Sequence, residues 1–240
     1  MTTIGTASFN LDLNDLVEEA FERCGHELRT GYDLRTARRS LNLLTIEWAN
    51  RGINLWTIEQ GQIALNTGVA TYNLPVDTID LLDQVIRTGA GSTNQNDLTI
   101  NRISSSTYSS IPNKLSQGRP VQVWINRQSG ATTPSGVSYP TVNVWPTPDA
   151  SSAQYTLVYW RLRRIQDAGN GVETQDIPFR FLNAMVAGLS YYLSIKLPNV
   201  PLERVTGLKA DYEQQFQLAG DEDRDKASLM VVPRNMSYTR

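Results

Sequence analysis

The chain has 240 residues, 40% hydrophobic and 19% charged, with a net charge of −2 at pH 7. That length suits one large domain, or a helical domain carrying a β-rich insertion. The negative charge argues against a sequence-specific DNA binder, which is usually basic, and the single cysteine, Cys24, excludes an intrachain disulfide.

The charged share lies below the roughly 25% of average globular chains. Ser, Thr, Asn and Gln fill the gap, mostly in the middle third, which suits a β-rich surface that meets other proteins. The first residues, Met1 to Thr6, lack the basic and apolar regions of a secretory signal. No apolar run approaches the ~20 residues that span a bilayer. The reading is therefore a soluble protein made in a reducing compartment, with no membrane partner.

Residues 1–12 are polar and read as extended. Helix one follows, with Asn14 as its cap and Leu13, Leu16, Val17, Ala20, Phe21 and Cys24 on one face; Gly25 stops it. Cys24 is then a small core residue. Helix two starts near Asp33, carries the stripe Leu34, Ala37, Leu41, Leu44 and Trp48, and ends at Gly52. Arg35, Arg38 and Arg39 lie off that stripe.

The period then changes. Residues 55–59, 62–66 and 69–74 read as short strands with Gly61 and Thr67-Gly68 as turns, and Pro75 closes the group. Residues 79–88 fit a strand or a short helix; Gly89-Ala90-Gly91-Ser92 after them and a hairpin partner at Leu98-Thr99-Ile100 favour the strand. Residues 104–119 are a loop with one helical turn around Ser105–Tyr108. Strands resume at 121–125, 142–145 and 155–160, with a loop over 129–140. Short strands at this spacing argue an antiparallel sandwich or small barrel.

Helix three begins after Asp176, with Pro178 in its first turn, and Pro198 stops it. Phe181, Leu182, Met185, Val186, Leu189, Tyr192 and Leu193 follow helical spacing, while Ala184, Ala187, Gly188 and Ser190 leave another side small enough for close packing. Helix four runs from Pro201 to Ala219 on Val205, Leu208, Tyr212 and Phe216, and Gly220 closes it. The fold class expected is α+β. Residues 1–54 and 174–220 form a discontinuous antiparallel helical bundle, 55–173 a β-rich insertion, and 221–240 an extended tail.

No catalytic, cofactor or metal site is read from the residues. His26 is the sole histidine, in a helix–helix loop, and two residues from Cys24 it would not share its face, so the plain loop reading prevails. There is no phosphate-cradling Gly-x-x-x-x-Gly-Lys loop. Gly89-Ala90-Gly91 lacks the third glycine and the helix of a dinucleotide site. Cysteine and histidine are too few for structural zinc. The acids Asp80/Asp83, Asp221/Asp223 and Glu18/Glu19 do not by spacing alone make a glycosidase pair, and Asp221–Asp225 lacks the EF-hand pattern.

Arg35, Arg38, Arg39, Arg161, Arg163 and Arg164 are candidates for a subunit interface or a channel wall, and read as salt-bridging a neighbouring subunit or the chain's own acidic helices. Phosphate contact is the alternative, disfavoured by the net charge. Trp48, Trp56, Trp124, Trp145 and Trp160 read as core or interface anchors in preference to stacking platforms for bases or sugars.

The run Leu41-Asn42-Leu43-Leu44-Thr45-Ile46-Glu47-Trp48-Ala49-Asn50-Arg51-Gly52-Ile53-Asn54-Leu55-Trp56 resembles the opening of podophage head-to-tail adaptors, the tail tubular protein A or gatekeeper-type connectors. Tyr72-Asn73-Leu74-Pro75 opening the β region, Tyr159-Trp160-Arg161 closing it, Ile177-Pro178 before a helix and Ala210-Asp211-Tyr212-Glu213 in the last helix extend the resemblance over nearly the whole chain.

The resemblance implies a non-enzymatic virion protein, without cofactor, assembled in the host cytoplasm into the virion tail. It implies a homo-oligomeric ring, expected to be twelve-fold, beneath the portal protein. That ring would pass double-stranded DNA during genome ejection and carry the tail nozzle and the fibre or spike. By position, Leu229, Met230, Val231, Val232, Pro233, Arg234, Tyr238 and Arg240 would grip the portal. The alternatives are another tail component, such as a nozzle or fibre-attachment protein, and more distantly a carbohydrate-binding or hydrolytic module or a DNA binder.

Overall fold

The computed structural model describes residues 9–29, 31–52, 55–127, 132–133, 136–149, 155–169 and 172–223. It is mixed α+β, with five helices and two four-stranded sheets among the described residues. The chain divides into two compact units: Met1–Leu44 with Gly171–Thr174 and Pro178–Arg240, and Thr45–Asn170 with Gln175–Ile177.

The first unit is helical. Helix α1 spans Leu13–Cys24 and buries Leu13, Leu16, Val17, Ala20, Phe21 and Cys24, the face that the spacing predicts. Its cap is Asp12, whose carboxylate accepts the Asp15 N–H at 2.9 Å; Asn14 lies inside the first turn instead. An acceptor on the residue just before the helix reaches the orphan N–H groups, which one already inside cannot do. At the other end Gly25 adopts φ 79°, and its N–H and that of His26 bond back to Glu22 and Phe21. This double bond pattern satisfies carbonyls the helix would leave open.

Helix α2 spans Gly31–Arg51, two residues earlier at its start than Asp33, and Gly52 at φ 80° ends it. The division between the units falls within α2, after Leu44. Its Ala37, Leu41, Leu44 and Trp48 are fully buried.

After α3, a single turn at Ser105–Ser109 in the β-rich unit, the helical unit resumes with α4, Leu182–Ser194. The helix expected directly after Asp176 is instead preceded by a 3-10 turn, Phe179–Phe181, opened by Pro178. Ten of the thirteen residues of α4 are buried, so it is the central helix of its unit and not an amphipathic surface one. Gly188 permits this: a Cβ there would lie 2.9 Å from both Leu44 methyls and from the Tyr212 ring.

Helix α5 spans Leu202–Glu222 and buries Tyr212, Phe216 and Ala219. It runs on through Gly220, which keeps a helical backbone, so neither the closure expected there nor an extended segment beginning at 221 is found. The Asp223 N–H bonds to Ala219 O and its buried carboxylate pairs with Arg180, which together hold the last turn.

The second unit holds ten strands among the described residues: β1 Ile58–Ala64, β2 Thr71–Asn73, β3 Thr78–Thr88, β4 Asn96–Thr99, β5 Asn101–Arg102, β6 Gln122–Asn126, β7 Thr132–Thr133, β8 Gly136–Val137, β9 Thr141–Trp145 and β10 Tyr155–Arg163. One sheet has the order β1-β10-β3-β4 and the other β2-β9-β6-β5; β5 and β6 are parallel and the remaining pairs antiparallel. The sheets stay separate, so the barrel alternative falls. Leu81, Ile86, Leu157 and Tyr159 from the first sheet and Tyr72, Val123, Ile125, Val142 and Val144 from the second share one core.

Three strand expectations change. Residues 58–64 are one strand with Gly61 inside it, because the ring of Tyr159, its cross-strand partner, lies over the glycine. The segments 62–66 and 69–74 shrink accordingly, Leu65 falling just after β1 and β2 holding only Thr71–Asn73. The loop expected over 129–140 contains the small β7–β8 pair.

Candidate functional site

Two regions carry the six candidate arginines. The first is the end of β10. Arg161 donates to Asp77 at 2.5 Å, to Thr78 Oγ1 at 3.0 Å and to Glu59 at 2.8 Å. Arg163 donates to Glu59 at 2.5 Å and takes both oxygens of Asp176, at 2.5 and 2.9 Å. Alternation along β10 places both arginines on one face of the strand, and Glu59 on β1 lies directly opposite Arg161. Asp176 further accepts the Gln166 N–H at 3.1 Å, while its own carbonyl accepts the Trp56 indole at 2.9 Å.

The two arginine side chains are only 11% and 10% exposed. Burial by itself would raise the Asp176 pKa; the Arg163 hydrogen bonds, the Gln166 N–H and the Arg163 charge outweigh it and hold the carboxyl below its ordinary value. The bidentate bond to Asp176 raises the Arg163 pKa in turn. Arg164, by contrast, is exposed and pairs with Asp167 at 2.5 Å. So Arg161 and Arg163 are engaged within their own unit, and among these three Arg164 points to the surface. Glu59 and Asp77 had no signal in the sequence, since they lie over 80 positions from these arginines and meet them only in the folded sheet; Asp176 is 13 residues from Arg163, but no spacing pattern marks the loop contact between them.

The second region is the outer face of α2. Tyr32, Arg35, Arg39 and Leu43 recur at steps of three and four, and all four are exposed. Tyr32 is 66% and Leu43 48% exposed, and Ile46 follows one turn on at 46%. Arg38 is half-buried beside them. Large apolar groups and arginines together on an exposed helix face are the composition of a protein–protein contact. From sequence, only the three arginines are set off the inward stripe, and the apolar part of this face is missed; Tyr32, Leu43 and Ile46, apolar yet off that stripe, are the signal that could have found it.

A smaller polar cleft in the β-rich unit is lined by Arg102, Ser104, Trp124 and Arg127. Asp80 accepts from Arg102 at 2.8 Å and lies 3.4 Å from Arg127. Trp124 stacks on Tyr108 at 4.9 Å between ring centroids. This tryptophan is thus half-buried, with one ring face against its own chain.

Cys24 is buried, with its thiol donating to Ser190 O at 3.2 Å. Burial pushes its pKa up to about 11, against the charge of Arg204. No group of three or more His, Cys, Asp or Glu side chains suited to a metal is found among the described residues. No helix among them is long and apolar enough to cross a membrane. Leu229, Met230, Val231, Val232, Pro233, Arg234, Tyr238 and Arg240 lie outside the described residues.

A mixed α+β chain whose singled-out arginines are spent on internal ion pairs and on an apolar outer helix face has the surfaces of a structural assembly component. The sequence model of the SU10 adaptor protein family matches residues 11–236, nearly the whole chain. The chain belongs to that family of phage head–tail adaptors, structural proteins of the virion. No curated protein matches the sequence.

Proposed function

We propose that this protein forms the head-to-tail adaptor ring, expected to be twelve-fold, that joins the portal to the tail and extends the DNA channel. Tail nozzle and fibre or spike would dock on it, as on the tail tubular protein A type of connector. The helical unit would supply the ring body as an antiparallel bundle, and the β-rich unit, its two sheets packed as a sandwich, the platform. The observation that carries the reading is the family match over residues 11–236. The exposed Tyr32–Leu43 face of α2 supports it, because a ring subunit must bury broad faces against its neighbours.

Of the candidate arginines, Arg35, Arg38 and Arg39 fit the subunit interface, and Arg164 fits a surface or channel position. Arg161 and Arg163 act by holding β10 to β1 and to Asp176. The weakly negative net charge suits a channel that lets DNA slide. Residues 224–240 fit a portal-gripping segment in position and in mixed apolar and basic character.

Native mass spectrometry and negative-stain imaging of the protein, alone and with its portal, test the proposal. Rings, or a monomer that becomes a ring only on the portal, support it. A monomer that ignores the portal removes it.

A further inference from the structure

A groove of about 910 Å³ runs along α1 in the helical unit. Leu11, Leu182 and Val186 give it an apolar floor, and the rings of Phe9 and Phe179 stand at its walls, 77% and 79% exposed. Asp15, Glu18, Glu19 and Glu22 line its rim at helical steps of three and four. Among the described residues the one cation lining it, Arg23, is engaged by Glu19 at 2.9 Å and Asp211 at 3.5 Å. The groove is therefore apolar inside and acidic at its edge. Two exposed phenylalanines beside it are costly to leave in water.

The described chain ends beside it. Asp223 closes α5 and its buried carboxylate pairs with Arg180, the residue after Phe179. The sequence continues as Arg224-Asp225-Lys226-Ala227-Ser228-Leu229-Met230-Val231-Val232-Pro233-Arg234. This segment has an unbroken apolar run of four residues flanked by Arg224, Lys226 and Arg234, with Asp225 as its one acid. Its chemistry complements the groove in both respects. Six residues from Asp223 to Leu229 reach up to about 20 Å when extended, and the rim from Asp15 to Glu22 is only about 10 Å of helix.

We infer that Leu229–Val232 of the same chain dock in this groove, between Phe9 and Phe179, with Arg224, Lys226 and Arg234 facing the acidic rim. Tethering makes the contact intramolecular, at an effective concentration on the order of millimolar, so a modest intrinsic affinity fills the groove. If the same segment grips the portal, docking hides it until the portal competes. That consequence rests on the adaptor reading. The docking itself does not, and it is tested in the free protein.

The test uses the full chain with Glu18→Cys and Val231→Cys, oxidised under mild conditions; Cys24 stays in place because it is buried. The expected product is an intramolecular disulfide, formed at least tenfold faster than in a control pairing Val231→Cys with Lys209→Cys, an exposed position outside the groove. Adding Phe179→Glu, an exposed position that should not disturb folding, slows the groove cross-link at least tenfold. Salt at about 1 M does the same, by screening all but the nearest charges. Equal rates at the two positions, or no effect of Phe179→Glu, overturn the inference. A disulfide-linked dimer in place of the intramolecular product overturns it too, since the occupant is then a second copy.

Discussion

Gly61→Ala is a small change with a large expected effect. Gly61 sits in the middle of β1, directly opposite Tyr159 on β10. A Cβ built there lies 2.4 Å from Cζ, 2.5 Å from Oη and 2.6 Å from Cε2 of that tyrosine, whereas ordinary contact begins near 3.4 Å. The ring must retreat by about 1 Å, yet Tyr159 is only 4% exposed and has little room to do so. Overpacking of this kind costs about 1–3 kcal/mol. Replacing glycine returns about 0.5–1 kcal/mol of backbone entropy.

The net expectation is a loss of about 1–2 kcal/mol, read as a lower urea midpoint with unchanged slope. Hydrogen exchange should localise it to β1 and β10. In a Tyr159→Val background the ring is gone, and Gly61→Ala should become neutral or slightly stabilising. A Gly61→Ala protein as stable as the parent would refute the argument. So would a cost that survives in the Tyr159→Val background.

Asp176→Asn leaves Arg163 with Glu59 as its one carboxylate among the described residues. Breaking a buried pair costs about 3–5 kcal/mol; with Glu59 retained, a loss of about 2–3 kcal/mol is expected in urea unfolding at pH 7. Because the folded-state pKa of Asp176 is depressed, its contribution is fully present above the unfolded value of about 4 and disappears as pH falls through the lower folded value. The gap between parent and Asp176→Asn should therefore close below pH ~4; a gap that is constant down to pH ~2 contradicts the assignment. Cys24, with its pKa raised to about 11, should resist a thiol reagent at pH 8 and react promptly once the chain is unfolded. Fast labelling of the folded protein would show that Cys24 is open.

The helices were legible because burial in a helical unit writes a 3.6-residue period, and α1 and α2 carry it without interruption. The strands were legible by type and poorly by boundary. Gly61 shows why: a glycine between two short apolar runs reads as a turn, and only the ring of Tyr159, nearly a hundred residues on, makes it a strand position. Gly220 misled in the same way, since the pairing of Asp223 with Arg180 that carries α5 past it lies far off in sequence. Sequence alone singles out all six candidate arginines but cannot sort them. Arg35 and Arg161 look alike until strand register brings Glu59 and Asp77 to the second.

The outer face of α2 also constrains what kind of contact it makes. Arg35 and Arg39 are four residues apart on it, between Tyr32 and Leu43. Pairing this face with itself about a two-fold axis would bring four guanidinium groups together in a partly desolvated contact, and like charges so placed cost several kcal/mol. An unlike, acidic surface on the neighbour removes that cost. Head-to-tail contacts between unlike surfaces are also what a closed ring requires, whereas self-pairing yields dimers. The two cases differ in the sign of the salt effect. For an adaptor ring built through this face, association weakens as salt rises from about 0.05 to 0.5 M, because screening removes attraction. Arg35→Glu with Arg39→Glu weakens it further and reverses the trend. Association of the parent that strengthens with salt would mean arginines facing arginines, and the α2 face would then be a two-fold contact unsuited to closing a ring.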